Sequence, residues 1–94
     1  TVQETESQQF LKALDFLSQL QLYLFKPQIA NLVSARCLEV KLEDGLIVLF
    51  ALKKETEAQL DSLQLIILKS KIDNKELQKV DLRFDKPVVT YRYD

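Results

Sequence analysis

The sequence predicts an α+β domain in which two helices cover one face of a small antiparallel or mixed sheet. Three observations predict it. Phe10, Leu11, Leu14 and Leu17, and again Leu60, Leu63 and Ile67, recur at the three- and four-residue spacing of amphipathic helices. Leu38, Val40 and Leu42 alternate with polar residues, as do Val80, Leu82 and Phe84; that period of two marks half-buried strands. The two patterns interleave in the order α-(β)-β-β-α-β-β, which a two-layer packing satisfies.

The first helix follows a polar start, Thr1–Glu6, which reads as a fraying end. Thr5 or Ser7 is its cap, with Glu4 and Glu6 placed where a helix N-terminus favours negative charge. The helix must end before Pro27, because the residue preceding a proline is pushed out of the helical region. Leu22, Tyr23, Leu24 and Phe25 are apolar all round, which predicts a well-buried end. Ile29–Val33 reads either as a short strand or as a helical turn. Leu38, Val40 and Leu42 then face one way, with Cys37, Glu39, Lys41 and Glu43 on the other side. Asp44-Gly45 is a tight-hairpin pair, since glycine tolerates positive φ. Leu46–Leu52 is continuously apolar and reads as a central strand or one covered on both faces. In the second helix Leu65, Ile66 and Leu68 broaden the apolar side, and Asp73-Asn74 ends it.

Lys79–Tyr93 closes the chain as a hairpin. Val80, Leu82 and Phe84 point to the core, and Lys79, Asp81, Arg83 and Asp85 form a charged row on the opposite face. Asp85-Lys86-Pro87 makes the turn. Val88–Tyr93 resumes as a strand, with Val89, Tyr91 and Tyr93 on one face and Val88, Thr90 and Arg92 on the other.

The 94 residues make one domain, 1–94, with one core. A chain of this size buries roughly 60–65% of its unfolded surface. An apolar content of 47% fits a globular domain. With 13 basic and 14 acidic residues, nothing points to a polyanion. No apolar run approaches the roughly 20 residues of a membrane span. The chain opens at Thr1 without a signal-like segment and reads as a domain excised from a longer protein, with any targeting element upstream.

Composition excludes much chemistry. There is no His, so neither Ser-His nor Cys-His catalysis is available. Metal binding lacks His, paired Cys and a closely spaced Asp/Asn loop. A single glycine rules out phosphate-cradling and dinucleotide fingerprints. Cys37 has no disulfide partner and no cationic cluster near it in sequence, so it reads as a silent, dispensable thiol on the polar face. The carboxylates fall at surface and turn positions. The reading is a non-enzymatic domain without cofactor or metal.

The terminal hairpin suggests binding. A strand that ends the chain can lie at a sheet edge, where unpaired backbone groups must be covered or used. Used, the edge adds a partner's strand, with the amide of Thr90 as a candidate donor and Arg83 beside it. An RNA-binding α+β module is an alternative. It would need exposed aromatics among basic residues, whereas Phe84, Tyr91 and Tyr93 are assigned to the core and the charge is balanced.

Val80-Asp81-Leu82-Arg83-Phe84-Asp85, a short turn and an apolar strand resemble the end of the extracytoplasmic β domain of the bacterial division family FtsQ/DivIB. The helix, the hairpin around Leu42–Leu46, and the second helix with Leu60, Leu63 and Ile67 agree with that layout. The resemblance covers Phe10 to Arg92. It departs at Pro87, where the family often has glycine, and at Tyr91 and Arg92, where aromatic or glycine positions are usual. The resemblance implies a division scaffold, anchored by an upstream membrane span that a POTRA domain follows, and located outside the cytoplasm. It implies coiled-coil partners of the FtsB and FtsL kind, bound by strand addition. By motif position, Arg83 would pair with an acidic group of the partner. Phe84 would flank the edge, and Lys86, Pro87, Val88, Thr90, Tyr91 and Arg92 would line it. A POTRA-like domain of an envelope assembly or secretion protein is the remaining alternative.

Overall fold

The computed structural model describes the backbone of residues 2–92 and the side chains of residues 8–92. Along the chain run α1 (Val2–Leu22), β1 (Pro27–Ser34), β2 (Cys37–Leu42), β3 (Ile47–Ala51), α2 (Thr56–Ile72), β4 (Leu77–Asp81) and β5 (Val88–Tyr91). This is the α+β order that the sequence patterns predict, with Ile29–Val33 resolved as strand. The expectation for Tyr93 lies outside the described residues.

The five strands lie in sequence order, β1-β2-β3-β4-β5. All neighbours are antiparallel except β3 and β4, which run parallel because α2 crosses over between them. Register fixes the two faces. Ala30, Val40, Val48, Val80 and Val89 stand in one row across all five strands. The three central valines of that row are fully buried with Phe16, Leu20, Leu60 and Leu63, so this is the face that the helices cover. Phe16 packs its ring 4.9 Å from that of Phe50. On the other face the rows are Asn31, Glu39, Leu49, Asp81, Val88 and Ile29, Lys41, Ile47, Lys79, Thr90.

The central place of β3 explains its continuous apolar run, with Val48, Leu49 and Phe50 all buried. The β2–β3 turn is built as Asp44-Gly45 suggests. Gly45 adopts φ +93°, a region that costs other residues strain. Leu46 N–H donates to Asp44 Oδ1 at 3.1 Å, and Leu42 N–H to the Leu46 carbonyl at 2.8 Å.

Four expectations about the helices need correction, the first being the face of α1: Ala13, Phe16 and Leu20 are its buried stripe, whereas Phe10, Leu11 and Leu14 are exposed. α1 runs from Val2, so neither Thr5 nor Ser7 stands at its start. Its far end is only partly buried: Tyr23 and Phe25 pack against the core, whereas Leu22 is exposed and Leu24 is 87% exposed. The cause is the way α1 stops. Phe25 N–H donates to the Leu20 carbonyl and Leu24 N–H to that of Gln21. Those bonds form a Schellman cap, whose penultimate position is left-handed. Leu24 takes that position at φ 66°, which throws its side chain outward. α2 ends in the same motif with the residue that suits it, Asn74 at φ 56°. Finally, Leu65 and Leu68 face solvent, and the buried stripe of α2 is Leu60 and Leu63 with Ile66 and Ile67 half-buried. Gln59 joins that stripe. Its side chain accepts from Ala51 N–H at 2.8 Å and donates to the Ala51 carbonyl at 2.9 Å, tying the start of α2 to the end of β3.

Candidate functional site

The candidate site is the β4–β5 corner and the outer edge of β5. The strand alternation that the sequence suggests for Lys79–Asp85 stops earlier than expected. β4 ends at Asp81, and Leu82 N–H still reaches the Leu49 carbonyl at 2.8 Å. Leu82 is buried in the core, but the chain then bends through residues 83–86. Phe84, assigned by alternation to the core, is therefore 56% exposed. The bend is built by Asp81. Its Oδ1 accepts the Arg83 backbone N–H at 3.1 Å, a turn made by a side chain standing in for backbone.

The same carboxylate binds the guanidinium in a bidentate pair. Arg83 Nε donates to Oδ1 at 2.9 Å and Nη2 to Oδ2 at 2.7 Å. Asp81 is thus not an exposed member of a charged row: it is 7% exposed. The hydrogen bond from Arg83 holds its carboxyl below the usual carboxylate range, against the opposing effect of burial. The same pair raises the guanidinium pKa above its already high value. Two of the five N–H donors of Arg83 are engaged here. The guanidinium also lies 5.4 Å from the Phe84 ring centroid, a cation–π distance.

Asp81 shares its face of the sheet with Leu49 and Cys37, and among the described residues no helix covers that face. Both are nonetheless buried. Cys37, expected on a polar exposed face, is 4% exposed. Desolvation raises its pKa, with Arg83 opposing. The thiol is a packed group rather than the surface one expected. Arg83 therefore has a structural duty that its position in the sequence does not reveal.

Beyond the bend, Pro87 and Val88 are exposed, Val89 and Tyr91 half-buried, and Thr90 and Arg92 exposed. Lys86 is exposed in the bend itself. Lys75 Nζ sits 5.2 Å from the centre of the Tyr91 ring. Arg92 reaches back over the β2–β3 turn, its Nη2 only 2.8 Å from where a Cβ on Gly45 would stand. Among the described residues β5 pairs with β4 alone, so its other side is an open edge.

Hydrogen-bond directions identify the groups on that edge. Leu82 N–H points to β3, so by alternation Asp81 and Lys79 turn their backbone groups toward β5. Their partners are Val88 and Thr90. Arg92 N–H likewise donates inward, to the Glu76 carbonyl at 2.8 Å. The backbone groups that face outward are therefore those of Val89 and Tyr91. Thr90, expected as a donor to an incoming strand, turns its amide into the sheet.

A second feature escaped the sequence patterns. A groove of about 650 Å³ is lined by Tyr23, Leu24, Phe25, Ile67, Leu68 and Lys71, with the β2–β3 turn closing one side. Tyr23 Oη donates to Asp61 Oδ1 at 2.6 Å and links the end of α1 to α2. That bond, with burial, pushes the Tyr23 pKa up to about 12. Among the described residues no three His, Cys, Asp or Glu side chains gather to hold a metal. No helix there is long and apolar enough to cross a membrane. No protein-family model matches the chain, and no curated protein matches it.

Proposed function

We propose that this domain is a non-enzymatic binding module of a bacterial division scaffold of the FtsQ/DivIB type, and that it recruits a partner by strand addition at β5. The observation that supports this reading best is the open β5 edge, with the backbone groups of Val89 and Tyr91 turned outward beside an ordered bend of the VDLRF motif. Backbone pairing supplies affinity, and the side chains around the bend supply direction and register. Arg83, half committed to Asp81, keeps donors for an acidic group of the partner. Phe84 offers an exposed ring at the corner, and Lys86 and Arg92 bracket the strand. The partner this edge fits is an extended segment of a coiled-coil protein of the FtsB or FtsL kind, with an acidic side chain near its paired strand.

The test is calorimetric titration of the chain with FtsB/FtsL complexes. The unaltered chain should bind. Tyr91→Pro, which removes an outward N–H and no ladder bond, should weaken binding by about tenfold or more. Binding that is absent, or unaffected by Tyr91→Pro, contradicts the proposal.

A further inference from the structure

The opposite edge of the sheet has a different character. β1 is eight residues long and exposed along nearly its whole length. Ile29, Leu32 and Val33 present large apolar surfaces. Pro27–Ser34 contains no charged residue at all. Edge strands are normally blunted by charge, proline or shortness, because a long, flat, apolar edge pairs with whatever strand it meets. β1 has Pro27 at its start and register shifts after Pro27 and after Leu32, and between them Ile29–Leu32 keeps a regular, uncharged ladder.

The strand alternates as β5 does. Leu42 N–H points to β3, so Lys41 and Glu39 turn toward β1, and their partners Ile29 and Asn31 turn toward β2. The outward backbone groups are those of Ala30 and Leu32. α1 extends the apolar surface on this side. Counted at about 100° per residue from buried Phe16, Leu17, Phe10 and Leu14 lie at about 100–160° one way round, and Tyr23 at about 20° the other way. Tyr23 bonds to α2, so the stripe of Phe10, Leu14 and Leu17 faces away from α2, on the β1 side.

We propose that β1 is a self-association edge that pairs antiparallel with β1 of a second copy, across a two-fold axis at Asn31. In that register Ala30 of each copy exchanges hydrogen bonds with Leu32 of the other. Ile29 meets Val33, and the two Asn31 side chains lie side by side. An uncharged strand laid on itself meets no like charges along the paired stretch, and it offers no charge code for a different partner. The two-fold axis is perpendicular to the sheet, so both helical layers stay on one face and the two α1 stripes approach each other. The exposed parts of Phe10, Leu14, Ile29, Leu32 and Val33 with the paired backbone amount to on the order of 600 Å² per copy. That area lies at the lower limit for a specific interface, so the dimer is weak, in the micromolar range. Lys26 and Arg36, flanking the strand, oppose one another at the ends, so added salt strengthens the dimer.

Sedimentation equilibrium of the chain from about 10 μM to about 1 mM tests this. The expected result is a reversible shift from 10.9 kDa toward twice that mass. Ala30→Pro removes an outward donor without touching the β1–β2 ladder, and Leu32→Lys places a charge beside the axis, opposite Ala30 of the other copy. Either should keep the chain monomeric with its circular dichroism unchanged. If Ala30→Pro disturbs the fold, Leu32→Lys decides. A chain that stays monomeric throughout overturns the proposal. So does a dimer that survives Leu32→Lys, or one that Tyr91→Pro dissolves.

Discussion

The two edges of this sheet solve the same problem in opposite ways. β5 is four residues long, follows a proline, and is flanked by Arg83, Asp85, Lys86 and Arg92. β1 is eight residues long, apolar and uncharged. β5 resembles an edge protected against indiscriminate pairing yet left open at Val89 and Tyr91, and it suits a selective, heterologous partner. β1 has a proline and register shifts near its ends but no charge along its length, and it suits a surface that is covered by its own kind. Partner choice is thus written in the charges around a strand more than in the strand itself.

The largest expected effect is at the root of the β5 corner. Leu82→Ala removes a buried side chain at the point where β4 leaves the sheet and should cost about 2–5 kcal/mol in a urea melt. A loss under half a kcal/mol would mean that the corner is not anchored by the core.

Next come the two proline substitutions that distinguish the inner and outer sides of β5. Thr90→Pro removes an inward N–H and leaves its acceptor on β4 unpaired, which should cost about 1–3 kcal/mol. Val89→Pro removes an outward one and should cost clearly less. Equal losses would show that the edge assignment has the wrong phase.

On the β1 side, Leu24 occupies a left-handed position just before the strand and buries little. Leu24→Gly should raise stability by about 1 kcal/mol, measured by the same melt. A destabilised variant would mean that the exposed leucine packs against something.

The smallest effects are read by pH. Tyr23 has its pKa raised from an ordinary value of 10 to about 12, so the neutral phenol is favoured in the fold. Its contribution is present below pH 10 and is lost as pH rises from 10 to 12. Tyr23→Phe should flatten that alkaline decline. At the β5 corner Asp81 behaves the other way. Its lowered pKa means that its contribution is present above the unfolded value of about 3.9 and is lost as pH falls through the folded one. Asp81→Asn should remove that acid-side slope.

Periodicity made the elements and the helix-covered face legible, because Val40, Val80 and Leu82 each obey a local pattern that burial enforces. It failed wherever a single side chain overrode the pattern. Asp81 captures the Arg83 amide, ends the strand early and turns Phe84 outward; nothing in the alternation signals that. Cys37 and Leu49 are buried without a covering helix, with the Asp81–Arg83 pair on the same face. Leu24 takes a conformation usually given to glycine or asparagine, so apolar composition misread the end of α1 as buried. The candidate residues Arg83–Arg92 stand out in the sequence as a region, but their division into inward and outward amides depends on which neighbour β4 faces first.

Amide hydrogen exchange along β5 tests the central claim most directly. The free chain should show Val89 and Tyr91 exchanging fast while Val88, Thr90 and Arg92 are protected by β4. Addition of an FtsB- or FtsL-like peptide, the proposed partner, should slow Val89 and Tyr91 and leave the inward amides as they were. Val89 and Tyr91 already protected in the free chain, or unchanged by the peptide, would contradict it.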